Sequence, residues 1–345
     1  MRRTRPADDH LTAGRRDRLT QAMKPPSDNV DALDDYARPA MHTSERAPRV
    51  SIGLPVYNGA RYLGEALESL LRQTYEDIEI IISDNASTDA TEEIARSFAA
   101  RDSRVRYDRL PKNIGAAANF MRVLHLARGE YFRWASADDL SAPEFVERCV
   151  AVLDREPDVV QAYPRAKLID EHGAVIREYH DNLHIVAERA SDRYIQVLER
   201  IGLCNAIYGV MRTSVLRRMP PLGAFEGSDI PWQAEIALHG KIWEIPEYLF
   251  FRRMHRDAQS SMSPDARQVH YDPASAGKPV MRNWRHAGAR LGAIVRGPGD
   301  VRDRARLLGY LARDIVWSRD ELAREIGAYA RYALSRRRRS GRRRT

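Results

Sequence analysis

Cysteine is nearly absent: two in 345 residues, Cys149 and Cys204, far apart and in apolar surroundings. That excludes a disulfide framework and any zinc-type ligand spacing, and it fits a reducing compartment. No apolar run approaches the ~20 residues that span a bilayer. The first residues, MRRTRPADDHLTAG, carry charge with no apolar stretch behind them, so they do not read as a secretory signal. No G-x-G-x-x-G follows the first predicted strand and there is no P-loop, which argues against a dinucleotide-dependent dehydrogenase or a P-loop enzyme. Internal repeats and an aromatic-rich RNA-binding signature are also missing.

A net excess of positive charge is confined to one place. The formal net charge is +8, and residues 336–345 supply seven arginines and no acid, leaving +1 for everything before them. A near-neutral body with a basic tail does not describe a nucleic-acid-binding face. The tail reads as a solvated end, or as a grip on an anionic membrane surface. Hydrophobic content of 43% and charged content of 30% are those of an ordinary packed protein. The expected location is cytoplasmic, with peripheral attachment to the inner face of the membrane as the variant that the tail suggests.

What is present is alternation. Residues 1–47 are polar and aperiodic and read as a disordered leader. From Arg49 onward, RVSIGLPV reads as a buried strand. Leu63, Ala66, Leu67, Leu70 and Leu71 follow at helical spacing, and IEIIIS is a second, continuously apolar strand. STDATEEIARSFAA reads as a helix capped by Thr88 or Asp89, VRYDRL as a strand, 115–127 as a helix and EYFRWAS as a fourth strand. Pro143 opens a further helix. Strand–helix alternation at this spacing predicts βαβ units and a mostly parallel sheet, with ligands bound beyond the strands' carboxyl ends. A hairpin around Glu171–Gly173, a helix near 190–201, a strand running into a helix over 207–218, a helix ended by Gly240 and a closing strand-rich segment follow. Polarity rises after Met262. Residues 300–335 return as one amphipathic helix with Leu307, Leu308, Leu311 and Ile315 on a stripe.

Each strand end carries polar residues suited to a ligand. Asp138 and Asp139 stand together after the fourth strand. Adjacent carboxylates are costly unless a cation neutralises them, and a hard divalent ion holding a diphosphate does so with few protein ligands. Capping of the Pro143 helix by Asp139 or Ser141 is the plainer alternative. Asp84 ends the second strand, where a carboxylate can accept from a base NH or a ribose hydroxyl, whereas Asp89 reads as a cap. Lys112, Asn113 and Gly115 form a loop leading into a helix N-terminus. Pro55 aims the loop of Tyr57 and Asn58.

In this order and spacing, Pro55–Asn58, Asp84–Asp89, Lys112–Gly115 and Ser136–Asp139 resemble the nucleotide-binding half of family 2 glycosyltransferases, over roughly 49–255. The resemblance implies an α/β GT-A (Rossmann-like) fold: a mostly parallel sheet flanked by helices, with a helical C-terminal extension. It implies a GT-A domain over 48–262, split into a nucleotide-binding half (48–140) and an acceptor half (141–262), then a helical extension (263–335) and the Arg-rich tail (336–345). It also implies a metal-assisted, inverting transfer of sugar from a nucleoside-diphosphate sugar, UDP by default, to a hydroxyl of a glycan or lipid-linked glycan. Cell-envelope polysaccharide biosynthesis is the setting it suggests. Pro55, Tyr57, Asn58, Lys112, Asn113 and Gly115 belong to the nucleotide side. Asp84 is placed on the base or ribose and Asp138 on the ribose or donor sugar. Asp139 holds Mg²⁺ or Mn²⁺, His255 completes the metal site, and Asp229 is the general base, with capping of the following helix as its plainer role. Arg253 or Arg256 is a candidate phosphate contact. One departure stands out: Ser136 occupies the place of the family's usual first Asp. It keeps alive the alternative of a catalytically degenerate binding protein.

Overall fold

The computed structural model describes residues 46–256 and 262–341, with side chains as far as Arg336. The leader over 1–47 therefore falls outside the described residues apart from its last two positions, and the tail is described in its backbone only in part.

The sheet begins with four parallel strands in the order β3-β2-β1-β4: β1 (Val50–Val56), β2 (Ile78–Asp84), β3 (Val105–Arg109) and β4 (Tyr131–Trp134). All seven residues of β2, IEIIISD, are buried, the pattern of a strand covered on both faces. The covering helices are α1 (Ala60–Leu71), α2 (Thr91–Arg101) and α3 (Ala116–Leu126). α1 buries Leu63, Leu67 and Leu70 against the sheet, three positions that share one side of a 3.6-residue helix.

Beyond β4 the sheet turns mixed. β5 (Leu140–Ser141), β6 (Val159–Ile169), β7 (Val175–Tyr179), β8 (Val210–Arg212) and β9 (Lys241–Arg253) extend the order as β4-β8-β6-β9-β5, with β7 on β6 as the expected hairpin. β4–β8, β8–β6 and β9–β5 are antiparallel, and β6–β9 is parallel. The parallel half follows the β-α-β alternation. The mixed half is joined through α4 (Phe145–Arg155), α5 (Ala190–Arg200), the short α6 (Thr213–Leu216) and α7 (Asp229–His239).

Two features of this topology place the site. The chain runs outward from β1 to β3 and returns to β4 on β1's other side, so the loops after β1 and β4 flank a switch point. The short β5 pairs Leu140 with Phe251 and Ser141 with Phe250, which carries the end of β9 to the Asp138–Asp139 loop.

Several local expectations change. α2 starts at Thr91 after Ala90. Asp89 stands just outside it, accepting from the Thr91 amide at 3.1 Å and from the Ala60 amide at 3.0 Å. The helix after Pro143 starts at Phe145, and neither Asp139 nor Ser141 caps it. The polar stretch after Met262 is helical, in line with the helical extension expected from 263: α8 (Pro264–Tyr271), capped by Ser263, and α9 (Arg282–Arg296). Segment 300–335 is broken at Ser318 into α10 (Val301–Trp317) and α11 (Arg319–Gly341). The stripe read from the sequence splits accordingly. Leu307 and Leu311 are buried, while Leu308 and Ile315 face solvent.

Candidate active site

The first three loops are tied to one another by the motif side chains. Asn58, in a left-handed conformation at φ 53°, donates its amide to Ser87 Oγ and accepts the Thr88 amide on Oδ1 at 2.8 Å. Asp84 is fully buried. Its Oδ1 accepts the Ser87 amide at 2.8 Å, and its Oδ2 accepts the Tyr107 hydroxyl at 2.8 Å with Arg109 Nε 3.3 Å away. The Asp84 charge pushes the Tyr107 phenol up, after burial as the first cause. Asn85 donates to Asn113 and accepts from the Ile114 amide, and Asn113 also accepts from the Gly115 amide. Pro55 stays in β1 opposite Ser83, while Tyr57 and Lys112 are exposed. Gly115 has φ 88°, and a Cβ there would stand 2.5 Å from the Tyr271 carbonyl oxygen. α8 thus closes directly over the third loop.

The acidic corner follows β4. Ser136 Oγ accepts the Asp138 amide at 3.2 Å, a local turn contact that a hydroxyl makes as readily as a carboxylate. Asp139 Oδ1 accepts the Arg253 amide at 2.8 Å. Burial, and then the Asp138 charge, raise the Asp139 carboxyl to about 7, against the pull of that amide and of Arg252 and Arg253. His255 lies with Nε2 3.3 Å from Asp138 Oδ2 and its ring edge-on to Tyr62 at 4.9 Å.

Arg253 does not reach toward a ligand. Its buried guanidinium donates to Asp138 O, Glu171 O and Glu65 Oε2 and covers the Tyr62 ring at 4.5 Å. The phosphate contact suggested for it is replaced by a fastening that joins α1, the β6–β7 turn and the acidic loop. Beneath them Arg133 is buried on the Phe145 ring, its pKa lowered by burial to about 10 with Asp139 among the charges opposing that shift.

Beside this corner a cavity of about 250 Å³ opens between α3, the 202–208 loop, the 222–230 loop and α8. Asp229, Tyr208, Arg252, Arg267 and Arg282 line it. Asp229 is the first residue of α7. Ser228 holds the cap position without a side-chain cap bond, so Asp229 does not cap the helix. The Cys204 thiol hydrogen-bonds Asp229 and is pushed well up by burial, then by the Asp229 and Asp181 charges. Tyr208 connects the cavity to the acidic corner. Burial first, then the charge of Asp139, raises its phenol. Glu226 pairs with Arg267, and Arg282 approaches it at 3.5 Å. Sequence reading missed Tyr208, Arg252, Arg267, Tyr271 and Arg282. Arg252 had a signal, three residues before His255, but the others belong to segments that join the site only in three dimensions.

Among the described residues no group of three or more His, Cys, Asp or Glu side chains is placed to hold a metal ion. Asp138 and His255 approach each other at 3.3 Å with Asp139 next in the chain, which brings carboxylate and imidazole groups, the donor types a divalent cation takes, to one corner. Asp139 is a partly buried carboxylate with one backbone donor and a carboxyl raised by desolvation, an environment that a positive charge would relieve. Oxygen ligands from phosphate and water commonly complete such a site.

Residues 51–212 match the sequence profile described as Glycosyl transferase family 2. Chondroitin synthase of Escherichia coli is 36% identical over 135 residues, covering 39% of this chain and 19% of that protein. Glycosyltransferase GlyG of Streptococcus pneumoniae serotype 4 is 37% identical over 112 residues, 32% of this chain and 37% of that protein. The chain spans less than half the length of these curated relatives. The crystal structure of S. aureus TarS 1-349 in complex with UDP-GlcNAc aligns with a TM-score of 0.58 at 16% identity, covering 79% of this chain and 74% of that one. At that identity the alignment speaks for the fold. Residues 51–212 thus carry the sequence features of glycosyl transferase family 2, and the fold around them is the GT-A fold of TarS.

Proposed function

We propose that the protein transfers a sugar from a nucleoside-diphosphate sugar to an acceptor hydroxyl with inversion at the anomeric carbon. The observation that carries this reading is the adjacency of two unlike carboxylate environments. Asp138 and Asp139 sit with His255 in one corner, and Asp229 sits in the cavity next to it, with Tyr208 between them. The nucleotide lies over the loops of Pro55, Tyr57 and Asn58, of Asp84, and of Lys112, Asn113 and Gly115. Asp84 acts by shaping the 84–88 turn beneath the base and ribose. Asp138 faces the ribose or donor sugar. Asp139 and His255 hold Mg²⁺ or Mn²⁺, which supplies positive charge to the departing diphosphate.

Asp229 accepts the acceptor's hydroxyl proton while that oxygen bonds to the anomeric carbon. The bond from carbon to the diphosphate oxygen breaks, and its electron pair leaves with the diphosphate. No second carboxylate is assigned as a nucleophile, so a single displacement accounts for the product. UDP is the proposed nucleotide, in keeping with the UDP-GlcNAc-bound TarS structure on the same fold. The acceptor is a glycan or lipid-linked glycan, and cell-envelope polysaccharide is the proposed setting. The 48–262 and 263–335 boundaries are proposed for the catalytic domain and its extension, and the arginines of 336–345 add attraction to anionic lipid.

Calorimetric titration of UDP, GDP and dTDP, with and without Mn²⁺, tests the reading beside Asp139→Asn. One nucleotide binding tightly only with metal, and losing that dependence in the variant, supports it. Equal binding with and without metal in both proteins removes the metal assignment. No binding of any nucleoside diphosphate removes the donor site.

A further inference from the structure

Sixteen large hydrophobic side chains are exposed among the described residues, and eleven of them fall between Trp284 and Leu334. They are patterned. α10 has two opposite faces. Its inner face buries Leu307 and Leu311 and sets Asp303 against Ser191 and Arg189 at α5. On a helix of 3.6 residues per turn, Val301, Ala305, Leu308, Ala312, Ile315 and Val316 share an arc of about 100° on the other face, with no charge in it. Val301 is 80% exposed, Val316 56% and the following Trp317 70%. α9 repeats the design. Ala293 and Ile294 pack inward, and Leu238 of α7 lies against Gly297 just beyond the helix. Gly288, Leu291 and Val295 form an exposed row facing outward, and Trp284 at its start is half-covered by α11, its Nε1 donating to Leu322 O. The outward face of a surface helix is ordinarily polar. Here two helices stacked on α5 and α7 turn an apolar row to solvent.

The charges around these rows are mostly positive, and Glu325 of α11 is taken up by the Asn283 and Trp284 amides. Segment 282–317 holds eight arginines and three aspartates, with no glutamate or lysine. All three aspartates are engaged: Asp300 caps α10, Asp303 pairs with Arg189, and Asp314 pairs with Arg290. Arg302, Arg304 and Arg313 are exposed beside the α10 row, and Arg313 lies over the rings of Tyr310 and Trp317.

We propose that the outer faces of α9 and α10 form a docking surface for an anionic lipid bilayer, with the apolar rows entering the interface and the flanking arginines meeting lipid phosphates. Tryptophan beside arginine at the rim suits the boundary between headgroups and acyl chains. Charge decides against a second copy of the chain as occupant, because a two-fold contact through this face brings arginine against arginine. The inference does not depend on the transfer chemistry proposed above.

The full chain is sedimented with vesicles of phosphatidylcholine alone and with vesicles that also contain phosphatidylglycerol. Three proteins are compared: the unaltered chain, the L308E/I315E double variant, and a chain lacking residues 336–345. The surface predicts salt-sensitive binding to phosphatidylglycerol vesicles and a loss of about tenfold or more in L308E/I315E. The shortened chain keeps binding that still depends on Leu308 and Ile315. Unchanged thermal melting of L308E/I315E shows that the altered positions act at the surface. Equal vesicle binding by L308E/I315E and the unaltered chain overturns the proposal, and so does binding abolished by tail removal alone. A dimer that L308E/I315E dissociates, in protein that ignores vesicles, assigns the face to a second copy instead.

Discussion

The nucleotide-side loops and the Asp229 cavity use polar side chains in opposite ways. In the loops after β1, β2 and β3, Asn58, Asp84, Asn85 and Asn113 spend their oxygens on neighbouring amides and hydroxyls. They hold three loops in one shape, and a ligand meets what they have shaped. Around the cavity, Asp229 is met by the Cys204 thiol, a weak donor, and the walls come from the 202–208 loop, the 222–230 segment and α8. Motif residues can therefore be structural in one half of a site and left for chemistry in the proposed other half, and their hydrogen bonds separate the two.

Substitutions can break that distinction. Asp229→Asn should have the largest catalytic effect: kcat lower by about a thousandfold, as for loss of a general base, with nucleotide binding and melting temperature nearly unchanged. Steady-state kinetics beside calorimetry checks both halves. A variant that keeps its kcat removes Asp229 from the proton step. Asp84→Ala should show the reverse emphasis. Its buried carboxylate serves the Ser87 amide, Tyr107 and Arg109, so its loss costs about 3 kcal/mol of stability. Chemical denaturation measures this. A fully stable Asp84→Ala protein that fails only to bind nucleotide shows instead that the carboxylate touches the ligand.

The same contrast explains what the sequence made legible. The parallel half of the sheet was readable because β2 is an unbroken apolar run and α1 has its leucines at helical spacing. Asp138, Asp139 and His255 were selected as candidates and do meet, because β5 brings β9 to them. The mixed half was less legible. Its strand order depends on pairings between segments far apart, and β6 runs parallel to β9 with bulges along the register. Residues beyond Met262 read as polar because α8 and α9 bury few side chains, yet they supply Arg267, Tyr271 and Arg282 to the cavity. Arg253 looked like a phosphate ligand because composition records a charge and says nothing of its partners.

Gly115 is where the two regions touch. A methyl group there meets the Tyr271 carbonyl, and the positive φ strains any side chain. Gly115→Ala should cost about 2 kcal/mol and loosen α8 from the third loop. Amide hydrogen exchange over 264–275 reports this directly. Faster exchange confined to that segment ties α8 to the loop, whereas unchanged exchange shows that the backbone adjusts elsewhere.

The smallest effect concerns the charge behind the cavity. Asp181 is buried, and burial raises its carboxyl to about 6, opposed first by the Asn205 amide and then by Arg252. A folded-state pKa above the unfolded value of about 3.9 means that the native state holds the proton more tightly. Its contribution to stability is full below the unfolded pKa and fades as pH rises through about 6. Asp181→Asn removes that titration and should flatten stability between roughly pH 4 and 6, raising it by about 2 kcal/mol at neutral pH. Urea unfolding at a series of pH values checks the slope. If the variant and the unaltered chain share one pH profile, Asp181 titrates as it does in the unfolded chain, and its charge has no bearing on the Asp229 cavity.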